Sequence, residues 1–156
     1  LTHLSERVGP TGAVVAIEFE ADLVAQLKGH IVASKLGNVG AYLEAEGVLP
    51  GSDNFDRVIL LDSYGALAEP VGTLERIRTR LVVGGLLVIV GHKPDESVPG
   101  PPMSERLDAE TILAEARGAG FAMVHAQHDL GRQWMVIFRN DPYDPASAPP
   151  NEEPKP

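Results

Sequence analysis

An acidic residue directly follows a short apolar stretch near the start of the chain. Residues 13–17 are Ala-Val-Val-Ala-Ile, and the next residue is Glu18. Such a run is typical of a strand buried in a parallel sheet, so we expect Glu18 at the carboxyl end of that strand. A carboxylate there can accept hydrogen bonds from two neighbouring hydroxyl groups of a ligand. The alternative is a solvated acid, beside Glu20 and Asp22, at the start of a helix.

Polar side chains also follow two later apolar stretches. Asp62 and Tyr64 come after residues 57–61, and His92 comes after residues 86–90. Ligands of open α/β sheets bind at the carboxyl ends of strands, and histidine titrates near neutrality, so His92 is a candidate base. The alternatives are a helix-capping acid for Asp62, a half-buried aromatic ring for Tyr64 and a surface histidine for His92.

We expect no metal site. His3, His30, His125 and His128 lack metal-ligand spacing with carboxylates. The chain also contains no cysteine, which excludes disulfides, thiolate metal sites and thiol nucleophiles.

The apolar stretches that precede the polar residues alternate with helical patterns. The predicted elements are strands at 13–17, 39–43, 57–61 and 86–90 and helices at 22–34 and 70–81. Gly84 and Gly85 predict a turn before the last of these strands. The runs at 13–17 and 57–61 predict strands buried on both faces, and the alternation predicts a doubly wound α/β sheet.

Two further strands close the pattern. Asp108 is a candidate N-cap for a helix over residues 109–117. Apolar periodicity then predicts strands at 121–128 and 133–139. The link at 129–132 is too short for a crossover helix, so these two strands must form an antiparallel hairpin.

Length, charge and composition narrow the class of protein. With 156 residues, 44% of them hydrophobic, the chain suits one domain, which we place at 1–139 before a disordered, proline-rich and acidic tail at 140–156. A formal net charge of -9 disfavours nucleic acid as a partner. Apolar runs such as 86–90 are far shorter than the ~20 residues that span a bilayer. We expect a small-molecule substrate, no membrane partner, and a cytoplasmic or else periplasmic location.

The order of these strings resembles the class I S-adenosylmethionine-dependent methyltransferases. Residues 4–18 are similar to that family's first helix, turn and acidic second strand. Residues 54–59 and 81–89 are similar to its fourth strand and to the glycine turn before its fifth. The closing hairpin is typical of this family and disfavours a nicotinamide-dependent oxidoreductase. The resemblance implies a doubly wound, Rossmann-like α/β methyltransferase sheet with a C-terminal antiparallel hairpin.

The resemblance implies S-adenosylmethionine as the cofactor and assigns residues to it. Glu18, with Phe19 beside it, takes the position that binds the ribose hydroxyls. Glu44 and Ala45 resemble the acidic stretch that holds the adenine, although an ordinary polar loop is an alternative for them. Asp62 takes a position near the ammonium group of the cofactor.

The implied function is methyl transfer to an unidentified, small-molecule acceptor. Tyr64 would line the methyl-transfer channel, and His92 would reach the acceptor as a base or an anchor. Methyl transfer from a sulfonium depends mainly on alignment, so the lack of a catalytic triad does not weigh against this function. The alternative function is a non-catalytic, methyltransferase-like scaffold that binds a partner chain.

The resemblance also implies a first strand and a G-x-G-x-G loop before Leu1, so we expect an N-terminally truncated domain. In the family's sheet that strand lies between the strand ending at Glu18 and the strand ending at Asp62. Its absence would leave two strand edges with unpaired backbone groups. Either residues 14–17 pair directly with 58–61, or another segment fills the space, or the isolated chain is poorly stable and prone to associate through those edges. We expect residues 1–156 alone to be prone to aggregate and to bind the cofactor weakly or not at all.

Overall fold

The computed structural model describes residues 1–44, 50, 54–97 and 99–141. The chain divides into two compact units, Leu1–Ser52 and Asp53–Pro156. The single domain expected over residues 1–139 stays a prediction. Residues 142–156 of the expected tail lie outside the described residues, whereas Asn140, at its start, is a buried side chain.

The described part of the first unit contains one parallel pair of strands and two helices. Its elements are α1 (Thr2–Val8), β1 (Val14–Glu18), α2 (Ala21–Ala33) and β2 (Val39–Leu43). Strands β1 and β2 pair in parallel, with Val14 opposite Val39 and Glu18 opposite Leu43. Because the strands run in the same direction, their carboxyl ends meet at one edge of the pair. The expected helices and strands of this region are confirmed to within one residue.

An asparagine side chain in this unit closes the end of α1. Gly9 follows the helix with a φ of 73°, a left-handed conformation that glycine adopts without a steric penalty. Asn38 Nδ2 donates to the carbonyl oxygens of Ser5 (3.2 Å) and Gly9 (3.0 Å). Its Oδ1 accepts a hydrogen bond from the Ser5 hydroxyl. Asn38 thus supplies a second donor to carbonyl groups at the end of α1 that also accept from the backbone NH groups of Gly9 and Gly12.

In the second unit, the described residues form a four-stranded mixed sheet and two α-helices. Its elements are β3 (Phe55–Leu61), α3 (Pro70–Arg80), β4 (Leu81–His92), α4 (Ala109–Gly118), β5 (Ala122–Leu130) and β6 (Gln133–Arg139). The strand order is β3-β4-β6-β5. Strands β3 and β4 are parallel, whereas β6 runs antiparallel to both β4 and β5. Short 3₁₀ turns lie at Tyr64–Ala66 and Met103–Glu105.

The core of the second unit lies between the helices and one face of the sheet. Its largest fully buried side chains come from α3, β4, α4 and β6: Leu74, Leu87, Ile89, Ile112, Val136 and Phe138. Two-residue spacing places Leu87 and Ile89 on the same face of β4. Full burial of each such side chain contributes about 1.5–3 kcal/mol.

The expectation that β3 is buried on both faces is wrong. Val58 and Leu60 pack against the core, whereas Ile59 and Leu61 are 47% and 63% exposed. The strand lies at an edge of its sheet, and its alternate side chains point to opposite faces. The core therefore covers only the face that carries Val58 and Leu60.

The turn expected at Gly84 and Gly85 is instead an irregularity within one long strand. Phe55 lies opposite Leu81 and Arg57 lies opposite Leu86. Between these two pairs β4 therefore has more residues than β3. Gly84 has a φ of 79°, which favours glycine, and such extra residues bend a strand without ending it.

Hydrogen bonds of Asn140 connect this irregular stretch to the end of β6. Its backbone NH donates to Gly85 O (2.9 Å), and its carbonyl oxygen accepts from Gly84 N (2.7 Å). Its side-chain Nδ2 lies 3.2 Å from Arg78 O, 2.9 Å from Leu81 O and 3.2 Å from Val82 O. The bulge carbonyls thus find a donor although they lie off the regular ladder.

The predicted hairpin and the predicted cap of α4 are confirmed. Strands β5 and β6 are antiparallel. Asp108 accepts a hydrogen bond from the backbone NH of Thr111 at 2.7 Å. Among the strands that the structure describes, β1 pairs with β2 and β3 pairs with β4. The direct pairing of residues 14–17 with 58–61 stays a prediction.

Candidate functional site

Three of the predicted cofactor-binding residues lie together at the carboxyl ends of β1 and β2. Phe19 N donates to the Glu18 carboxylate at 2.7 Å, and Glu44 N donates to the Glu18 carbonyl at 2.8 Å. The Phe19 residue is 49% exposed. We call Glu18, Phe19 and Glu44 the first-unit cluster. The fourth predicted residue of this region, Ala45, lies outside the described residues.

A second group of polar side chains lies at the strand ends of the second unit. The Asp62 carboxylate contacts two neighbours: Oδ1 lies 2.8 Å from His92 Nδ1, and Oδ2 lies 2.8 Å from Gln133 Nε2. The side chains of His92 and Asp62 are 15% and 28% exposed. We call Asp62, His92 and Gln133 the second-unit cluster. Its hydrogen bonds join side chains to one another in a partly buried position.

The backbone holds Asp62 in an uncommon conformation. Its φ is 51°, in the left-handed region that aspartate adopts more readily than most residues but at a cost of about 1 kcal/mol. The backbone NH of Asp62 donates to Val90 O at 2.9 Å, which continues the pairing of β3 with β4. This conformation directs the carboxylate towards the end of the neighbouring strand, where His92 lies.

The contact with Asp62 determines which nitrogen of His92 is basic. An ionised carboxylate only accepts hydrogen bonds, so Nδ1 of His92 must be the donor. The neutral ring then carries its lone pair on Nε2. A histidine in this arrangement can accept a proton at Nε2 while the carboxylate stabilises the resulting cation.

The His92 ring lies under the loop that contains Gly100. A Cβ atom at Gly100 would lie 2.6 Å from His92 Cδ2 and 3.0 Å from Nε2, which is too close for a larger residue. Next to the ring is a small cavity of about 10 Å³, which has room for about one water molecule. Asp62, Tyr64 and Trp134 also line it.

Tyr64 lies in the core. Its ring is buried, and its hydroxyl donates to Glu115 Oε2 at 2.6 Å. Burial, together with the hydrogen bond to the Glu115 carboxylate, raises the pKa of Tyr64 well above its ordinary value. The phenol therefore remains a hydrogen-bond donor at neutral pH. Its predicted place in a methyl-transfer channel stays a prediction.

Two members of these networks were missed in the sequence. Gln133 contacts Asp62, and Glu115 contacts Tyr64, yet neither has a local motif. The register of β4 and β6 pairs His92 with Gln133. The strand β6 was expected at its observed bounds, but β4 was expected only at 86–90 and extends from Leu81 to His92. The pairing of β4 with β6 was not predicted, so the sequence offered no signal for Gln133.

No group of three or more His, Cys, Asp or Glu side chains among residues 1–44, 50, 54–97 and 99–141 is arranged to hold a metal ion. Within the same ranges, none of the helices has the length and apolar character needed to cross a bilayer.

The parallel strands, together with the C-terminal antiparallel hairpin in which β6 lies between β4 and β5, are typical of the class I methyltransferase fold. The sequence predicted this fold, and comparison with solved structures confirms it. An S-adenosylmethionine-dependent methyltransferase from Aquifex aeolicus superposes with a TM-score of 0.82 at 24% identity, over 88% of this chain and 74% of that one.

Two other structures illustrate the range of proteins that share the fold. The [4+2]-cyclase SpnF matches with a TM-score of 0.74 at 17% identity, over 92% of this chain and 71% of that one. PigF with SAH matches with a TM-score of 0.65 at 17% identity, over 89% of this chain and 46% of that one. No protein-family model and no curated protein matches the sequence.

Proposed function

We propose that the protein transfers a methyl group from S-adenosylmethionine to a small-molecule acceptor. The observation that carries the proposal is the class I methyltransferase fold, shared with an S-adenosylmethionine-dependent methyltransferase at a TM-score of 0.82. PigF, which has the same fold, is described with SAH. A fold alone does not fix a reaction, so the chemistry of this chain's own residues must also suit the proposal.

The donors and acceptors of the first-unit cluster suit this cofactor. Glu18 is half-buried, and one of its carboxylate oxygens accepts from Phe19 N. The carboxylate has about four lone-pair sites, so it retains capacity for the two hydroxyls of a ribose. The exposed ring of Phe19 offers an apolar surface to a flat base. We propose that Glu18, Phe19, Glu44 and Ala45 hold the nucleoside part of the cofactor.

The second-unit cluster suits proton removal from the acceptor. When bound, S-adenosylmethionine supplies an electrophilic methyl group with a neutral leaving group. His92 Nε2 accepts the proton of the acceptor's hydroxyl or amine as the acceptor's electron pair forms the new bond to carbon. Asp62, through its 2.8 Å contact with Nδ1, stabilises the imidazolium that results. We therefore propose that Asp62 serves His92 rather than the cofactor's ammonium group.

Binding of the cofactor is the direct test. Titration calorimetry of the full-length protein with S-adenosylmethionine and with SAH should give saturable binding of both. Incubation with a methyl-labelled cofactor and a set of small alcohols, phenols and amines should then transfer the label to one class of acceptor. Absence of binding at millimolar concentrations of either compound would refute the proposal.

A further inference from the structure

Gln133 occupies a position from which it controls the orientation of the Asp62 carboxylate. It is the first residue of β6 and lies opposite His92, the last residue of β4. Its Nε2 donates to Asp62 Oδ2 at 2.8 Å, while Asp62 Oδ1 faces His92 Nδ1 at the same distance. The three side chains therefore form one hydrogen-bonded chain that joins the ends of three strands.

The direction of this chain follows from what each group can donate. The carboxylate accepts at both oxygens, so the amide of Gln133 must present its NH₂ group and the imidazole must present Nδ1–H. With Oδ2 held by Gln133, rotation of the carboxylate away from His92 would break two hydrogen bonds instead of one. The tautomer of a histidine is set by the hydrogen bond at its other ring nitrogen, so the hold on Asp62 extends to His92 Nε2.

Neighbouring groups restrict the alternatives open to the ring. Gly100 lies against Cδ2 and Nε2 of His92 so closely that even a Cβ atom there would lie 2.6 Å from Cδ2. A 180° flip of the ring would place a carbon atom opposite the Asp62 carboxylate and break the contact. The remaining freedom at this site is rotation of the carboxylate itself, which is the motion that Gln133 opposes.

We propose that Gln133 is a positioning residue that fixes the Asp62 carboxylate and thereby keeps His92 in the form with a proton on Nδ1 and a free lone pair on Nε2. The inference rests on the proposed function because it gives His92 the role of base, but the hydrogen-bonded chain can be measured without methyl transfer.

The test is the ring-nitrogen spectrum of His92. The protein is labelled with ¹⁵N-histidine, the spectrum is recorded at a pH at which the imidazole is neutral, and the His92 signals are assigned by their loss in His92→Asn. In the native chain the Nδ1–H form should dominate. Gln133→Leu, which keeps much of the side-chain volume and removes the donor, should reduce the Nδ1–H form from the major to a minor species.

Two matched variants separate positioning from a general structural effect. Gln127→Leu makes the same substitution at an exposed residue of β5, in the same hairpin, and should leave the His92 signals unchanged. Gln133→Lys restores an N–H donor on a side chain of similar length and should restore the Nδ1–H form. If Gln133→Leu does not fold, Gln133→Met, which keeps the length of the side chain without the donor, replaces it with the same expected loss.

Retention of the dominant Nδ1–H form in folded Gln133→Leu or Gln133→Met would overturn the inference. So would equal loss in Gln127→Leu or in Gln133→Lys. These outcomes are distinct from failure of the proposed function. If the Gln133 variants change the His92 tautomer as expected but the protein binds no S-adenosylmethionine, the positioning role of Gln133 is supported and the proposed methyl transfer is refuted.

Discussion

The first-unit cluster and the second-unit cluster both lie at strand ends, but their polar atoms are bonded differently. In the first, backbone NH groups of Phe19 and Glu44 donate to Glu18, and much of the Phe19 surface is open. In the second, the side chains of Asp62, His92 and Gln133 bond to one another in a partly buried position.

This difference indicates that the first-unit cluster suits ligand binding and the second-unit cluster suits proton transfer. Backbone bonds fix the position of a carboxylate while its remaining lone pairs stay available for a ligand. A closed set of side-chain bonds fixes protonation and geometry, which is what proton transfer requires. We therefore expect changes in the first-unit cluster to alter binding and changes in the second-unit cluster to alter rate.

The largest expected effect is on cofactor binding. Glu18→Lys replaces the hydrogen-bond acceptor with a donor of opposite charge, so calorimetry should detect no binding of S-adenosylmethionine. Glu20→Lys makes the same charge change at an exposed residue two positions away and should leave affinity nearly unchanged. Unchanged affinity in Glu18→Lys would remove Glu18 from the site and end the proposed division of roles.

The next effect is on turnover. His92→Asn removes the base but keeps a polar side chain, so the rate of methyl transfer should fall by about 10²–10⁴-fold, the usual contribution of general acid–base catalysis. The affinity for S-adenosylmethionine should not change. His125→Asn, at an exposed position on β5, is the control and should keep the full rate. A loss of affinity equal to the loss of rate would contradict the comparison.

The next prediction concerns stability. Each unit has an asparagine whose side chain donates to backbone carbonyls, Asn38 in the first and Asn140 in the second, and the two should differ in how much they stabilise the fold. Asn140→Ala leaves the buried carbonyl of Leu81 and the partly buried carbonyls of Arg78 and Val82 without this donor, and it should lower the free energy of unfolding by about 1–3 kcal/mol. Asn38→Ala acts at a less buried site, where water can replace the lost bonds, and should cost about 1 kcal/mol or less. Urea denaturation of both variants measures the difference. A larger loss in Asn38→Ala would reverse the expected order.

The smallest effect is a pH dependence at the start of α4. The hydrogen bond from Thr111 N holds the pKa of the exposed Asp108 carboxyl below its ordinary value. A lowered folded-state pKa means that this stabilisation is complete above the unfolded-state pKa and is lost as the pH falls through the folded-state pKa. Asp108→Asn keeps an acceptor at the cap but cannot titrate, so thermal melts should show a smaller loss of stability on acidification. Identical acid profiles would show that the cap carries no measurable charge dependence.

Local sequence patterns predicted the bounds of most helices and strands well, but they predicted the burial and regularity of individual strands less well. The bounds of β2 and β6, and the Asp108 cap, follow from residues adjacent in sequence. The expected burial of residues 57–61 failed because an apolar run does not reveal whether both faces of its strand are covered. The expected turn at Gly84 and Gly85 failed because the same residues also suit a bulge.

For the candidate site, the location of residues at strand ends was easier to predict than their hydrogen-bond partners. Glu18, Asp62 and His92 were expected at strand ends, and they lie there. The contact of Asp62 with His92 and Gln133 depends on the pairing of three strands and on a left-handed backbone at Asp62. No short motif encodes such pairing, because each contact joins residues at least 30 positions apart.

The bulge at Gly84 and Gly85 also has a consequence for how the chain tolerates insertions and deletions. From Leu86 to His92, each residue of β4 has a fixed partner on β6, and a slip of one residue would turn His92 to the opposite face. Before Leu86, the irregular stretch already holds residues without regular partners. A residue gained or lost there changes the size of the bulge while His92 stays opposite Gln133. Length variation among natural versions of this chain should therefore collect between α3 and Leu86 and be absent from Leu86 to His92.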